Sequence, residues 1–136
     1  SKTKLKPAVS FKTRVICVKE LEKGESISYR RKFIAKKKTK IALLPSGYTY
    51  GLEPSLAKGG KVLIRGKKYP LVGGISTTNA YVDIGNNKEV KVNDEVVIFG
   101  TQAKKEITLG EICRFVGQSE YQFLGRIPEK VERIFV

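Results

Sequence analysis

Alternation of apolar and polar residues with a period of two is the feature that most constrains how this chain can fold. Over residues 9–18, one set of alternating positions is Val, Phe, Thr, Val and Cys, and the other set is Ser, Lys, Arg, Ile and Val. Successive side chains of a strand point to opposite faces of a sheet, so this pattern is typical of a half-buried β-strand. It predicts one long strand over residues 9–18.

Short strands are predicted along the rest of the chain, separated by turns at residues such as Gly24 and Asn86. They cover residues 26–33, 39–44, 61–64, 68–72, 80–84, 95–99 and 131–136. Gly66 lies between two of these strands and predicts a hairpin there. So many short strands favour a barrel, because closure of the sheet removes exposed strand edges.

Two short helices interrupt the strands. Pro54 predicts the start of a helical turn. Thr108 and Glu111 match a capping box, in which each of the two side chains binds the other residue's free backbone N–H, and they predict a helix over residues 109–116. The predicted apolar face of this helix consists of Ile107, Ile112, Phe115 and Val116. The predicted fold is therefore an all-β, Greek-key-like β-barrel with one or two short helices, formed by residues 1–136 as a single domain.

The composition removes several classes of function. The chain has no His, which is the commonest general base and a frequent metal ligand. Cys17 and Cys113 lie far apart and outside any C-x-x-C pair, which excludes zinc-ribbon and redox motifs and predicts two buried, reduced thiols of a cytoplasmic protein. The longest apolar run, at residues 41–44, is far shorter than the roughly 20 residues that a membrane span needs, and no signal peptide is apparent.

The most unusual local segment is residues 44–51, with the sequence Leu-Pro-Ser-Gly-Tyr-Thr-Tyr-Gly. Pro45 ends an apolar strand, and Gly47 and Gly51 flank two tyrosines. Such a loop can present the Tyr48 hydroxyl to a partner surface, although most loop tyrosines pack or hydrogen-bond. A phenol is a poor base near neutral pH unless a nearby cation favours its ionised form.

Five segments, in order along nearly the whole chain, carry a resemblance to a known family. Residues 13–29 include Thr-Arg-Val-Ile-Cys-Val-Lys-Glu and Gly-Glu-Ser-Ile-Ser-Tyr, and residues 41–48 are Ile-Ala-Leu-Leu-Pro-Ser-Gly-Tyr. The other three are residues 60–73, residues 92–100 (Val-Asn-Asp-Glu-Val-Val-Ile-Phe-Gly) and residues 125–136. Together these segments resemble the C-terminal β-domain of the alanine racemase family.

The resemblance implies part of a pyridoxal-phosphate-dependent isomerase that interconverts L- and D-alanine for cell-wall synthesis. Enzymes of this family combine an N-terminal (β/α)8 barrel, whose lysine binds pyridoxal 5'-phosphate, with a C-terminal β-domain. Two subunits pair head to tail as a homodimer, so that the β-domain of one completes the site for the small amino-acid substrate on the barrel of the other. A tyrosine of the β-domain and the barrel lysine act as bases on opposite faces of the substrate, and Tyr48 occupies the position of that tyrosine.

Several positions depart from the family pattern. The family's G-Y-A-D-G becomes Gly-Tyr-Thr-Tyr-Gly at residues 47–51, and its G-R-x-C-M-D becomes Gly-Gly-Ile-Ser-Thr-Thr at residues 73–78. The Met of the family offers its backbone N–H to the substrate carboxylate, and Thr77 can keep that role because a backbone donor survives substitution. Glu129 matches a tyrosine that touches the cofactor phosphate, which a carboxylate would repel, so no residue of this chain is assigned to cofactor binding.

Three alternatives stay open: a serine racemase-type domain of the vancomycin-resistance kind, a non-catalytic relative, and a basic RNA-binding β-barrel. The third rests on the net charge of +14 and on the six Tyr and six Phe. These aromatics are spread along the strands instead of clustering beside the basic run at residues 36–40, which favours the racemase-domain interpretation. Because no segment of the chain shows the strand–helix alternation of a cofactor-binding barrel, the chain on its own is predicted to be inactive.

Overall fold

The computed structural model describes residues 9–27, 33–125, 127 and 134–135. The strands among them are β1 (Val9–Arg14), β2 (Cys17–Leu21), β3 (Ser26–Ile27), β4 (Phe33–Ile34), β5 (Thr39–Leu44), β6 (Lys61–Ile64), β7 (Lys67–Val72), β8 (Ala80–Gly85), β9 (Glu95–Gln102), β10 (Lys105–Ile107) and β11 (Ile134–Phe135). The helices are α1 (Leu109–Val116) and α2 (Glu120–Gly125), and there are 3₁₀ turns at Tyr48–Tyr50 and Pro54–Ala57. The predicted mainly-β composition is confirmed.

The described strands pair antiparallel, in the order β11-β1-β9-β6-β7-β8-β5-β2, with β10 added beside β9 and β3-β4 as a separate pair. The pairs β1–β9, β9–β6 and β8–β5 join strands that are distant in sequence, as a Greek-key arrangement requires. The order is an open path, but β1 and β2 follow each other in the chain and lie near its opposite ends. The sheet therefore curls into a barrel-like form, and the predicted fold class is confirmed.

The prediction of one long strand over residues 9–18 is wrong in its continuity. The Val15 N–H donates to Asp94 O at 3.0 Å, whereas the Ile16 N–H donates to Leu43 O at 2.9 Å. The backbone thus changes its pairing partner from the region of β9 to β5 within two residues. This bend separates β1, which pairs with β9, from β2, which pairs with β5.

Other strand predictions agree with the structure to differing degrees. The hairpin of β6 and β7 is confirmed, and Arg65 and Gly66 form its turn with φ of 52° and 76°. A second hairpin, of β9 and β10, was not predicted from the sequence. The predicted strand at 26–33 begins in β3 and ends in β4, and residues 28–32 between them lie outside the described residues. Most of the predicted strand at 131–136 also lies outside the described residues.

The main core fills the space inside the curled sheet. The ring of Phe99 meets those of Phe11 and Phe123 edge-on, each with its centroid 6.1 Å away. Aliphatic side chains complete the cluster, among them Leu44, Leu52, Leu63, Ile64, Val82, Ile84, Val96 and Ile98. A second, smaller cluster contains Leu21, Ile27, Ala35 and Ile41. The burial of Leu44 matters for function, because this residue anchors the loop that follows β5.

Helix α1 begins at the predicted capping box. The Glu111 N–H donates to Thr108 Oγ1 and the Thr108 N–H donates to Glu111 Oε1, each at 3.0 Å. Ile112 of the predicted apolar face is buried, but Phe115 is 46% exposed, so the face is narrower than predicted. Within the described part of the chain, no helix is long and apolar enough to cross a membrane.

The two thiols lie in different environments. Cys113 is buried in α1, as predicted, whereas Cys17 is exposed on β2. The prediction of two buried thiols is therefore wrong for Cys17. The residue lies at the bend between β1 and β2, where the alternation of inward and outward side chains is interrupted.

Candidate active site

Two loops lie side by side at the same end of the paired strands β5 and β8. Strand β5 ends at Leu44 and β8 begins at Ala80, and these two residues are directly opposite each other in the antiparallel ladder. The loop after β5 (residues 45–51) and the loop before β8 (residues 73–79) must therefore emerge together. Tyr48 lies in the first loop and Thr77 in the second, so the topology itself brings together the two residues that the sequence selected.

The side chains of Tyr48 and Thr77 are in direct contact. The Thr77 hydroxyl Oγ1 donates a hydrogen bond to Tyr48 Oη at 3.0 Å. Tyr48 is 49% exposed and opens the 3₁₀ turn Tyr48–Tyr50. The phenol is thus presented to the surroundings of the domain while its oxygen is held from one side by this chain.

Three hydrogen bonds join the two loops, two between backbone groups and one from a side chain. The Tyr48 N–H donates to Ser76 O at 3.0 Å, and the Thr49 N–H donates to Thr77 O at 3.1 Å. The Thr49 hydroxyl donates to the same Thr77 carbonyl at 2.6 Å. Because each loop satisfies polar groups of the other, the loops form one unit, and the phenol is attached to a fixed base.

Gly47 permits this close approach. A Cβ atom at residue 47 would lie 2.3 Å from Ser76 O and 2.5 Å from both Thr77 C and Thr78 N. All three are backbone atoms, which cannot turn aside as the end of a side chain can. Only glycine therefore fits here without moving the second loop.

The base of the loop pair is anchored to the sheet by polar side chains. Ser46 is buried and its hydroxyl donates to Thr13 Oγ1 at 3.0 Å. Asn79 Nδ2 donates to Leu44 O at 3.3 Å, and the Asn79 N–H donates to Ser76 Oγ at 3.0 Å. These contacts explain how loops without regular structure can hold Tyr48 in one orientation.

The chemistry available at this site is that of hydroxyl groups. Among the described residues, the Thr77 hydroxyl is the partner that hydrogen-bonds to the Tyr48 phenol, and no group of metal-binding side chains occurs in that part of the chain. An exposed phenol on a loop held by several hydrogen bonds can give a proton to a molecule held against it, or take one up. A cation beside the phenol would favour its ionised form.

The remaining assignments from the sequence have different outcomes. The position of Tyr48 on an outward-facing loop agrees with the expectation, and its catalytic role stays a prediction. Thr77 was selected for its backbone N–H, and that role also stays a prediction, whereas the contact through its side-chain hydroxyl was not foreseen. Glu129 lies outside the described residues. The contribution of Thr49 was missed, and no signal in the sequence pointed to it.

The fold and the loop pair define a barrel-like β-domain that presents a tyrosine hydroxyl at its surface. The sequence model of the family described as "Alanine racemase, C-terminal domain" matches residues 8–135. The chain belongs to this family of domains.

Comparison with individual proteins agrees with this assignment. The chain is 40% identical to alanine racemase 2 of Caldanaerobacter subterraneus subsp. tengcongensis over 132 residues, which are 97% of this chain and 34% of that protein. Among solved structures, alanine racemase from Bacillus anthracis with bound L-Ala-P superposes with a TM-score of 0.89 at 28% identity, over 98% of this chain and 37% of that one. The alanine racemase of Oenococcus oeni superposes with a TM-score of 0.88 at 30% identity, over 97% and 36%. The chain thus spans about a third of the length of the proteins that it matches.

Proposed function

We propose that this chain is the β-domain of a pyridoxal-phosphate-dependent racemase that interconverts L- and D-alanine, the product serving cell-wall synthesis. In this proposal the domain completes the active site on the barrel domain of a partner subunit in a head-to-tail homodimer. The observation that carries the proposal is the half-exposed Tyr48 hydroxyl on a loop fixed by Thr77 and Thr49. The family of the chain and the names of its relatives support it.

The residues around Tyr48 fit one wall of a cofactor site. Tyr48 and Thr77 offer hydroxyl groups, and the phenol is exposed enough to reach a molecule held on a facing body. The barrel domain would hold the cofactor, and Tyr48 and Thr77 would face it from this side. Pyridoxal phosphate, when bound, withdraws electrons from the substrate and so makes the proton on its α-carbon acidic.

Within the proposed reaction, Tyr48 moves a proton at the α-carbon on one face of the substrate, opposite the barrel lysine. Its hydroxyl gives the proton in one direction of the reaction, and the deprotonated phenol takes it in the other. The ionised form needs a cation from the barrel, since the described hydrogen bonds of the phenol are to the neutral Thr77 side chain. The Thr77 backbone N–H is proposed to bind the substrate carboxylate.

The test is a chimera in which this chain replaces the matching third of the Caldanaerobacter alanine racemase 2. We expect the cofactor-loaded dimer to racemise alanine and Tyr48→Phe to lower turnover at least a hundredfold in both directions, because each direction needs the phenol to give or to take the α-proton and general acid–base groups contribute about 10²–10⁴-fold. Exchange with solvent deuterium should slow much more for one enantiomer than for the other. The isolated chain should not racemise alanine at all.

Tyr121 supplies a matched control, because it is 90% exposed on α2 and outside the loop pair. Tyr121→Phe removes the same hydroxyl group from a different surface and should leave turnover unchanged. If Tyr48→Phe racemises both enantiomers at the parent rate, the role of Tyr48 is wrong. A correctly assembled, cofactor-loaded dimer without activity would identify a non-catalytic relative, and faster turnover of serine than of alanine would identify a serine racemase.

A further inference from the structure

We propose that the Thr77 side chain is a positioning residue for Tyr48: its hydroxyl is hydrogen-bonded to the phenol oxygen and donates to that oxygen once the phenol has released its proton to the substrate. The observation is the hydrogen bond from Thr77 Oγ1 to Tyr48 Oη at 3.0 Å. This inference rests on the proposed function and adds to it a role for a side chain that the family pattern does not supply. At this position the family pattern has Met, which carries no hydroxyl to donate.

The backbones of both residues that form this hydrogen bond are held by further hydrogen bonds. The Thr77 carbonyl accepts from the Thr49 N–H at 3.1 Å and from the Thr49 hydroxyl at 2.6 Å. The Tyr48 N–H is bound to Ser76 O, and Gly47 keeps the two loops in contact. Threonine is branched at Cβ and has few χ1 rotamers, so its hydroxyl is directed with little freedom. The contact between the two hydroxyl groups is therefore fixed by the backbone of the loop pair.

The protonation state of the phenol determines the direction of this hydrogen bond. A hydroxyl group carries one proton and two acceptor lone pairs. When Thr77 donates its proton to Tyr48 Oη, the phenol keeps its own proton for a molecule in front of it. After the phenol has released that proton, the Thr77 hydroxyl faces a negatively charged oxygen, and a hydrogen bond to a charged acceptor is roughly twice as strong as a neutral one.

A contact that strengthens as charge develops lowers the barrier of the chemical step more than it strengthens substrate binding. Removal of the Thr77 hydroxyl should therefore lower kcat, and leave KM nearly unchanged, in the direction in which the phenol gives up its proton. The expected loss is about tenfold, as typical for one hydrogen bond to a charged group. It is smaller than the loss expected for Tyr48→Phe, because the phenol itself remains.

The first experiment uses the full chain without cofactor. Tyrosines labelled with ¹³C at Cζ give one NMR signal each, and the Tyr48 signal is assigned by its disappearance in Tyr48→Phe. Thr77→Val keeps the shape of the side chain and removes the donor, so the Tyr48 signal should move at neutral pH. Thr77→Ser keeps the donor and should leave the signal near its parent position. Thr78→Val is the matched control, because the Thr78 hydroxyl donates to Asn79 Oδ1 and not to Tyr48.

The second experiment places the same substitutions in the chimeric racemase. In the direction in which the phenol gives up its proton, Thr77→Val should lower kcat about tenfold in the parent background and have little further effect when combined with Tyr48→Phe, since its action passes through the phenol oxygen. Thr77→Ser should restore most of the rate. Damage to the loop would instead lower the rate equally in both backgrounds.

The outcomes separate this inference from the proposed function. If Tyr48→Phe abolishes turnover but Thr77→Val changes neither kcat nor the Cζ signal, the inference is wrong and the proposed function stands. Equal losses from Thr77→Val in both backgrounds would also overturn the inference. If Tyr48→Phe has no effect on turnover, the proposed function fails, and the NMR result still decides whether the hydrogen bond exists.

Discussion

Replacement of Gly47 by alanine measures how closely the two loops must approach each other. The Gly47 backbone has φ of −129°, which any residue can adopt, so the substitution adds no backbone strain. The added Cβ atom would lie 2.3 Å from Ser76 O and 2.5 Å from Thr77 C, and real Cβ contacts essentially never fall below 3.0 Å. The loops would have to separate by more than half an ångström.

That separation acts on the hydrogen bonds that join the loops. The bonds from the Tyr48 and Thr49 N–H groups each contribute about 0.5–1.5 kcal/mol. Steric overpacking by one methyl group typically costs about 1–3 kcal/mol. Since the movement relieves part of the overlap while it stretches the bonds, we expect Gly47→Ala to lower the free energy of unfolding by about 2–4 kcal/mol.

The assay is urea unfolding of the full chain, followed by circular dichroism. Gly125→Ala is the matched control, because a Cβ at that position meets no atom within 4 Å and the change should stay within about 0.5 kcal/mol of the parent. In the chimeric racemase, Gly47→Ala should also lower turnover, since it displaces Tyr48. An unfolding midpoint equal to that of the parent would show that the loops do not meet as tightly as the structure indicates.

Two further predictions concern titration and thiol reactivity. Burial alone would raise the pKa of Asp94, but the hydrogen bond from the Lys91 N–H and the paired Arg65 guanidinium together hold it below its usual 3.8. Asp94 therefore stabilises the fold above about pH 4 and less as the pH falls through the lowered value, so the stability of Asp94→Asn should depend less on pH between 2 and 5 in urea titrations. Cys17 is exposed, whereas burial raises the pKa of Cys113; a thiol reagent at neutral pH should label Cys17 in the folded chain and both cysteines only after unfolding.

Local sequence signals predicted the elements whose hydrogen bonds are local. The β6–β7 hairpin follows from Gly66 between two apolar runs, and helix α1 from the Thr108 capping box, because in each case the residues that decide the structure are neighbours in sequence. Helix α2 carried the same kind of signal and was overlooked. The Ser119 N–H donates to Gln122 Oε1 at 2.9 Å and the Gln122 N–H donates to Ser119 Oγ at 3.1 Å, a second capping box.

Features that depend on distant partners could not be predicted in this way. The alternating pattern runs unbroken through Val15 and Ile16, yet their N–H groups bind Asp94 and Leu43, which are remote in sequence. The sequence also contains no local pattern that predicts the turn between β9 and β10. Ala103 and Lys104 adopt φ of 48° and 70°, values that residues other than glycine rarely take and that no local pattern here indicates.

The candidate site likewise has features that the sequence predicts and features that depend on distant partners. The resemblance selected Tyr48 and Thr77 one at a time, and the pairing of Leu44 with Ala80 explains why they meet. The hydrogen bond between their hydroxyl groups depends on the rotamer of one side chain and on the path of two loops without regular structure. The sequence could therefore predict which residues belong to the site but not how they contact each other.

Charged residues are unevenly distributed along the sequence around the candidate site. Charged residues make up 29% of the chain, yet residues 41–52 and 69–82, which contain both loops and the strands leading into and out of them, have no Asp, Glu, Lys or Arg. A surface exposed only to water has no reason to exclude charge, whereas the centre of a protein–protein interface is depleted of charged residues because their desolvation is costly. Most of these residues are buried or half-buried within the domain, and the exposed ones, Tyr48 and residues 76–78, are also uncharged, which supports the proposed contact with a barrel domain. The excess of positive charge lies outside these two stretches, where it does not oppose the proposed contact.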